Sequence, residues 1–298
     1  MKLKKIFLIF IELALFSPIL TAESDYDYLL NKYKTIIEKK REKAEAERLA
    51  SEKKAKVERL VAERKKIMSD EIVQSIFVKV PGKKYSIMVT EVTQKQYKAV
   101  MGKNPSEHKG DDLPVENVSW FDCVVFCNKL SEKQNLEPCY SYKGSTDVSK
   151  WKFLKEEQWS WSESKWKKFN EKDFVCNFKA SGYRLPTLEE WQYAAKGGEN
   201  YTYAGSNNLD EVGWYEDNSD NKTHPVAQRL PNDYGLYDMS GNVWEWGWDS
   251  YNDFGYRYRC GGSCSSYRSC GVGSRSSSCS RADDRDYDIG IRLVCPSK

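Results

Sequence analysis

Residues 235–246, GLYDMSGNVWEW, hold the most chemically suggestive spacing in the chain. Asp238 and Glu245 supply carboxylates, and Gly241 between them lets the backbone turn so that neighbouring carbonyls can converge. Oxygen ligands gathered in this way suit a hard cation of the Ca²⁺ kind. The same residues also fit a tight aromatic turn in which Asp238 caps backbone amides while Trp244 and Trp246 pack inward. Nine cysteines are the second group able to do chemistry. Cys123 and Cys127 stand one helical turn apart in an apolar pattern, the arrangement of buried free thiols. Cys139 and Cys176 bracket a Trp- and Lys-rich insertion that a disulfide could close, given suitable distances. Cys260, Cys264, Cys270, Cys279 and Cys295 crowd the C-terminal end. The two histidines, His108 and His224, are too few for a His-rich iron or zinc centre. No G-x-S-x-G, phosphate loop or dinucleotide fingerprint is present.

The elements that must position these residues follow from composition. With 298 residues the chain has room for one large domain and an appendage. A net charge of +3 gives no general attraction to nucleic acid. Lys2, Lys4 and Lys5, the apolar run Ile6–Leu20 broken by Glu12, and Leu20-Thr21-Ala22 predict a secretory signal over residues 1–22. An uncleaved anchor is the alternative, which Glu12 and Pro18 oppose. The expected location is exported, periplasmic or cell surface. Residues 23–70 turn rich in Lys, Glu, Ala and Arg, and from Asp25 to Asp70 contain no Gly or Pro. They predict a solvated helix, either a stalk or weak coiled coil able to self-associate, or a single charged helix without a partner.

Residues 71–298 predict one α+β domain. Ile76–Val80 and Tyr85–Thr90 around Pro81-Gly82 read as a hairpin. Thr93 with Gln96, Ser119 with Asp122, and Thr187 with Glu190 predict capping boxes that open helices. After Gly198 short strands and turns dominate, dense in aromatic residues, Gly and Asn.

Four segments in order carry a resemblance: VTEVTQKQYKAVMG from Val89, LPVENVSWFDCVVFCNKLS from Leu113, GYRLPTLEEWQYAAKGG from Gly182 and PNDYGLYDMSGNVWEWGWD from Pro231. With GGS at Gly261 and IGIRLV at Ile289, the chain resembles the formylglycine-generating enzyme or sulfatase-modifying-factor family. The resemblance implies a loop-rich variant of the C-type-lectin fold. It also implies a calcium site in which Asp238 and Glu245 give side-chain oxygens and Met239, Gly241 or Val243 give backbone oxygens. Enzymes of the family hold copper between two thiolates that follow GGS as x-x-C-x₄-C. Here those positions are Ser266 and Gly271, and the actual pair, Cys264 and Cys270, is spaced C-x₅-C. A copper-dependent formylglycine-generating oxidase acting on a client sulfatase cysteine is therefore only the alternative reading.

Between Arg259 and Asp288 the composition narrows to mostly Ser, Arg, Gly, Cys, Asp and Tyr, with no Asn, Lys, Glu, Gln, Met or Trp. Randomising the adenines of Asn codons yields the residues present and cannot yield Lys, Glu, Gln, Met or Trp. In this the chain resembles the exported variable proteins of diversity-generating retroelements. The expectation is a non-catalytic, receptor- or adhesin-like protein whose variable surface, about 259–288, meets a protein or cell-surface ligand. Its contact candidates are Ser265, Ser266, Tyr267, Ser269, Ser274, Ser276, Ser278, Asp283 and Asp286. A disordered Ser/Gly-rich tail is the bland alternative, opposed by the strand expected at Ile289–Val294.

Overall fold

The computed structural model describes residues 23–67, 76–151, 173–252, 255–267, 270–272 and 277–297. The signal expected at 1–22 lies outside them. The chain divides into two compact units, residues 1–63 and 64–298.

In the first unit, helix α1 runs from Glu23 to Ile67. Good helix formers and the absence of Gly and Pro sustain its length. Tyr28, Tyr33, Ile36 and Leu49 are exposed on it, and its ion pairs, such as Lys43–Glu47 and Arg48–Glu52, are solvated. Such pairs add little stability. No described helix is long and apolar enough to cross a membrane.

The second unit contains β1 (Phe77–Lys79), β2 (Tyr85–Met88), α2 (Gln94–Met101), α3 (Trp120–Lys133), β3 (Tyr140–Tyr142), β4 (Phe174–Cys176) and α4 (Leu188–Lys196). Then come the one-turn helices α5 (Leu209–Val212) and α6 (Glu216–Ser219), followed by β5 (Trp244–Ser250), β6 (Tyr256–Cys260), β7 (Ser277–Arg281), β8 (Ile289–Gly290) and β9 (Val294–Pro296). The expected hairpin is present, with Phe77 opposite Met88 and Gly82 in the left-handed region that the turn demands. All three capping boxes are formed, each hydroxyl accepting from the N3 amide while the N3 side chain accepts from the cap amide. Asp122 is short enough to close its box at 2.9 Å and also accepts from the Ser119 hydroxyl.

Three small sheets result, ordered β1-β2-β9, β3-β4 and β7-β6-β5-β8. Trp120 and Trp246 lock α3 to β5, donating from Nε1 to the carbonyls of Gly247 and Val118 at 3.0 and 2.9 Å. Buried indoles need such partners. Asn128 substitutes for a strand neighbour, donating to Tyr140 O and accepting from Tyr140 N.

The single strand expected over Ile289–Val294 is split. Ile289–Gly290 runs parallel to β5, and Val294–Pro296 runs antiparallel to β2. Arg292, between them, turns completely into the core. The ladder breaks because this cation has its partners inside the protein.

Candidate functional site

Residues 231–246 form a tight turn that leads into β5. Glu245 is 1 % exposed and Arg292 0 %. Arg292 Nε lies 2.9 and 3.0 Å from the two Glu245 oxygens, and its Nη2 lies 2.8 Å from Oε1. The rest of the guanidinium donates to Met88 O at 2.9 Å and Tyr237 O at 2.7 Å. Trp191 Nε1 adds a 2.6 Å bond to Glu245 Oε2. A buried ion pair persists only when its remaining donors and lone pairs are satisfied in this way.

Glu245, one of the expected calcium ligands, thus has both oxygens engaged by Arg292 and Trp191. Among the described residues, no three His, Cys, Asp or Glu side chains gather into a metal-holding group. Asp238 is different. It sits at φ +57°, its Oδ2 accepts from Ala227 N at 2.7 Å, and its buried Oδ1 meets no hydrogen-bond partner. Burial pushes its carboxyl up to about 6. Glu91 is raised further, by burial and then by Asp238, and its Oε1 also lacks a partner. With Trp244 and Trp246 packed inward, the capping alternative describes Asp238 and both indoles.

The thiols of the alternative copper pair lie inside the domain. Cys264 and Cys270 are both fully buried. Cys264 lies near Asp288 and Glu116, and desolvation raises its thiol to about 12. Cys270 packs with Leu209, Val212 and Tyr215 and is likewise pushed to about 12. A Cβ on Gly262 would stand 2.5 Å from Cys270 Sγ, so only glycine allows this approach.

The C-terminal segment supplies β6, the loop after it, the sheet-edge strand β7 and the turns that follow. Its candidate residues separate by exposure. Tyr267 is 68 % exposed, and Asp286 is exposed while its carbonyl accepts from Asn117 N at 2.9 Å. Ser278 is half-buried in β7 opposite Arg259. Ser265 is half-buried, with its hydroxyl 2.6 Å from Asp288 Oδ2. Ser266 and Asp283 are turned inward, each 9 % exposed. The Ser266 hydroxyl accepts from Ser263 N at 2.9 Å, and Asp283 pairs with Arg281 at 3.2 Å. Both have side-chain polar atoms engaged within the segment, as Ser265 has. Ser269, Ser274 and Ser276 lie outside the described residues.

Several supports were not legible beforehand. Ser263 Oγ donates to Asp288 Oδ2 at 2.7 Å, Arg285 reaches Asp122 at 2.8 Å, and the ring of Tyr287 meets His108 edge-on at 6.0 Å. The first ties the C-terminal loops to each other, and the other two join them to Asp122 and His108. All three span sequence separations over which neither periodicity nor spacing gives a signal.

The sulfatase-modifying factor enzyme 1-like domain matches residues 66–296. Among solved structures, Treponema denticola variable protein 1 is 34% identical with a TM-score of 0.62, the match covering 76% of this chain and 93% of that one. CarF is 34% identical with a TM-score of 0.56, covering 72% and 87%. The chaperone protein LppX of Paenibacillus barcinonensis is 44% identical over 180 residues, 53% of this chain and 60% of its own length. The formylglycine-generating enzyme of Mycobacterium tuberculosis is 39% identical over 94 residues, 25% of this chain and 29% of its own length. The chain thus spans less than two thirds of either of these curated relatives. By its domain, its α+β architecture and its structural neighbours, this chain belongs to the sulfatase-modifying-factor family and has that family's C-type-lectin-like fold.

Proposed function

We propose that this chain is an exported, non-catalytic ligand-binding protein that presents a variable C-terminal surface on a fixed lectin-like framework. One observation carries the reading. Exposed side chains such as Tyr267 and Asp286 lie in a segment whose thiols Cys264 and Cys270 are buried. Tyrosine offers rigid amphipathic contact area and serine adaptable hydrogen bonding, the combination antibody loops use. The partner in this proposal is a protein or cell-surface ligand, and helix α1 acts as the stalk, with self-association through it as a second element. The likeness to Treponema denticola variable protein 1 supports a variable binding role.

Calcium enters the proposal as a structural ion only. Asp238 Oδ1 is the side-chain donor open to it, with the carbonyls of Met239, Gly241 and Val243, and Glu245 takes no part. The ion would supply local charge balance and hold the turn. Titration calorimetry with Ca²⁺ and a chelator-shifted melting curve test this, and silence in both removes it.

Two experiments test the main reading. A genomic near-copy of the coding segment for Arg259–Asp288, differing at adenines and lying beside a reverse transcriptase, is expected; its absence removes the argument for variability. Purified chain loaded with Cu(I) is expected to leave a client cysteine peptide unchanged. Conversion to formylglycine would establish the oxidase instead.

A further inference from the structure

Four thiols from separate parts of the chain meet at the main core. Cys127 is on α3, Cys139 immediately precedes β3, Cys176 ends β4 and Cys295 is in β9. Cys127 and Cys139 belong to the core cluster, and Cys176 and Cys295 pack against it. Cys127, Cys139 and Cys176 are free thiols. Cys139 acts electrostatically on Cys127 and Cys176 and is acted on by Cys295, which makes it the centre of the group. The surface described above uses none of them.

Backbone geometry distinguishes the pairs. Asn177 N donates to Cys139 O at 2.7 Å, and Tyr140 stands in register with Cys176. Cys139 and Cys176 therefore occupy adjacent rungs of one antiparallel pair. Disulfides need Cα atoms roughly 4.4–6.8 Å apart; directly opposed residues of antiparallel strands lie about 4.5–5.5 Å apart, and Cys139 and Cys176 stand one rung off that position. Cys127, on a helix, and Cys295, in another sheet, have no such backbone tie to Cys139. On a regular pleat, residues on adjacent rungs face opposite sides. Cys139 stands just outside the three-residue strand β3, and both side chains rest against the same cluster. Cys176 is half-buried and so open to an external oxidant, whereas Cys139 is 2 % exposed.

We propose that Cys139 and Cys176 form an oxidant-controlled disulfide clip at the base of the hairpin whose strands flank residues 152–172. This goes beyond the ligand-binding reading and does not rest on it. The oxidant is a small disulfide such as oxidised glutathione. Cys176 thiolate attacks one of its sulfurs and releases one thiol, and Cys139 thiolate then displaces the second. Two S–H bonds are lost, one S–S bond forms and the oxidant leaves as two thiols. Burial pushes Cys139 up to about 11 and Cys176 up to about 12, so thiolate is scarce and closure needs excess oxidant.

The test uses the full reduced chain, kept folded with excess oxidised glutathione, then alkylated, digested and mapped by mass spectrometry without reduction. The expected product is one peptide pair joined through Cys139 and Cys176, with Cys127 and Cys295 recovered as free thiols. Oxidised wild type is expected to melt at a higher temperature than its reduced form, and Cys176→Ser to show no such difference. Cys139 recovered unlinked, a glutathione adduct left on Cys176, or a link from Cys139 to Cys127 or Cys295 each overturns the proposal. The wild-type map decides the matter even where Cys176→Ser fails to fold.

Discussion

The surroundings of Arg292 and of Tyr267 show how differently one domain treats its side chains. Arg292 is sealed from water, and its guanidinium meets Glu245, Met88 and Tyr237. Tyr267, in the loop beyond β6, is 68 % exposed. Between them lies a supporting layer of Ser263, Ser266, Asp288 and Asp122, whose hydrogen bonds hold the C-terminal loops to the framework. The contrast teaches that the buried anchors and the exposed rim are separate sets of side chains, even within the segment 259–288.

Breaking the sealed region should have the largest effect. Arg292→Met leaves Glu245 buried without its partner, and urea denaturation should show a loss of about 3–5 kcal/mol. The double variant Arg292→Met with Glu245→Gln should recover part of it. A single variant as stable as wild type would remove the ion pair from the account. In the supporting layer, Ser263→Ala takes a donor from buried Asp288 and should cost about 1–3 kcal/mol.

Glu116, fully buried behind the loops, sharpens the comparison through pH. Desolvation raises its carboxyl to about 7 from an ordinary 4.5. Between those values the folded chain keeps a proton that the unfolded chain has lost. Its contribution to stability is thus full below pH 4.5 and falls as pH rises through 7. Glu116→Gln cannot titrate and can still accept from His108 N as Glu116 Oε1 does at 2.9 Å. Its melting temperature should exceed wild type at pH 8 and approach it at pH 5, a difference on the order of 1 kcal/mol. Equal behaviour at both pH values would contradict the raised carboxyl. The smallest effect belongs to the rim, where Tyr267→Ala should shift stability by less than about 0.5 kcal/mol.

Local signals in the sequence carried the framework well. Thr93, Ser119 and Thr187 announced their helices because a capping box spans three residues, and the Pro81-Gly82 turn announced its hairpin for the same reason. The narrowed composition from Arg259 to Asp288 does not say which of its side chains face outward. Ser266 and Asp283 turn inward through bonds to Ser263 and Arg281 that composition does not encode. The pairing of Glu245 with Arg292 joins residues 47 positions apart, a separation over which no local pattern signals a partner. The break in the strand at Arg292 was missed for the same reason, since a buried cation interrupts an otherwise regular apolar alternation.

The central claim is that the rim recognises ligands while the framework stays fixed. Its most direct measurement is a display library of the intact chain randomised at Ser265, Tyr267, Ser278 and Asp286, sorted for protease resistance and then for binding to a purified protein target. The account predicts that most variants stay folded and that target-specific binders emerge. Widespread unfolding, or folded variants that yield no binder while the parent chain converts a client cysteine to formylglycine, would contradict it.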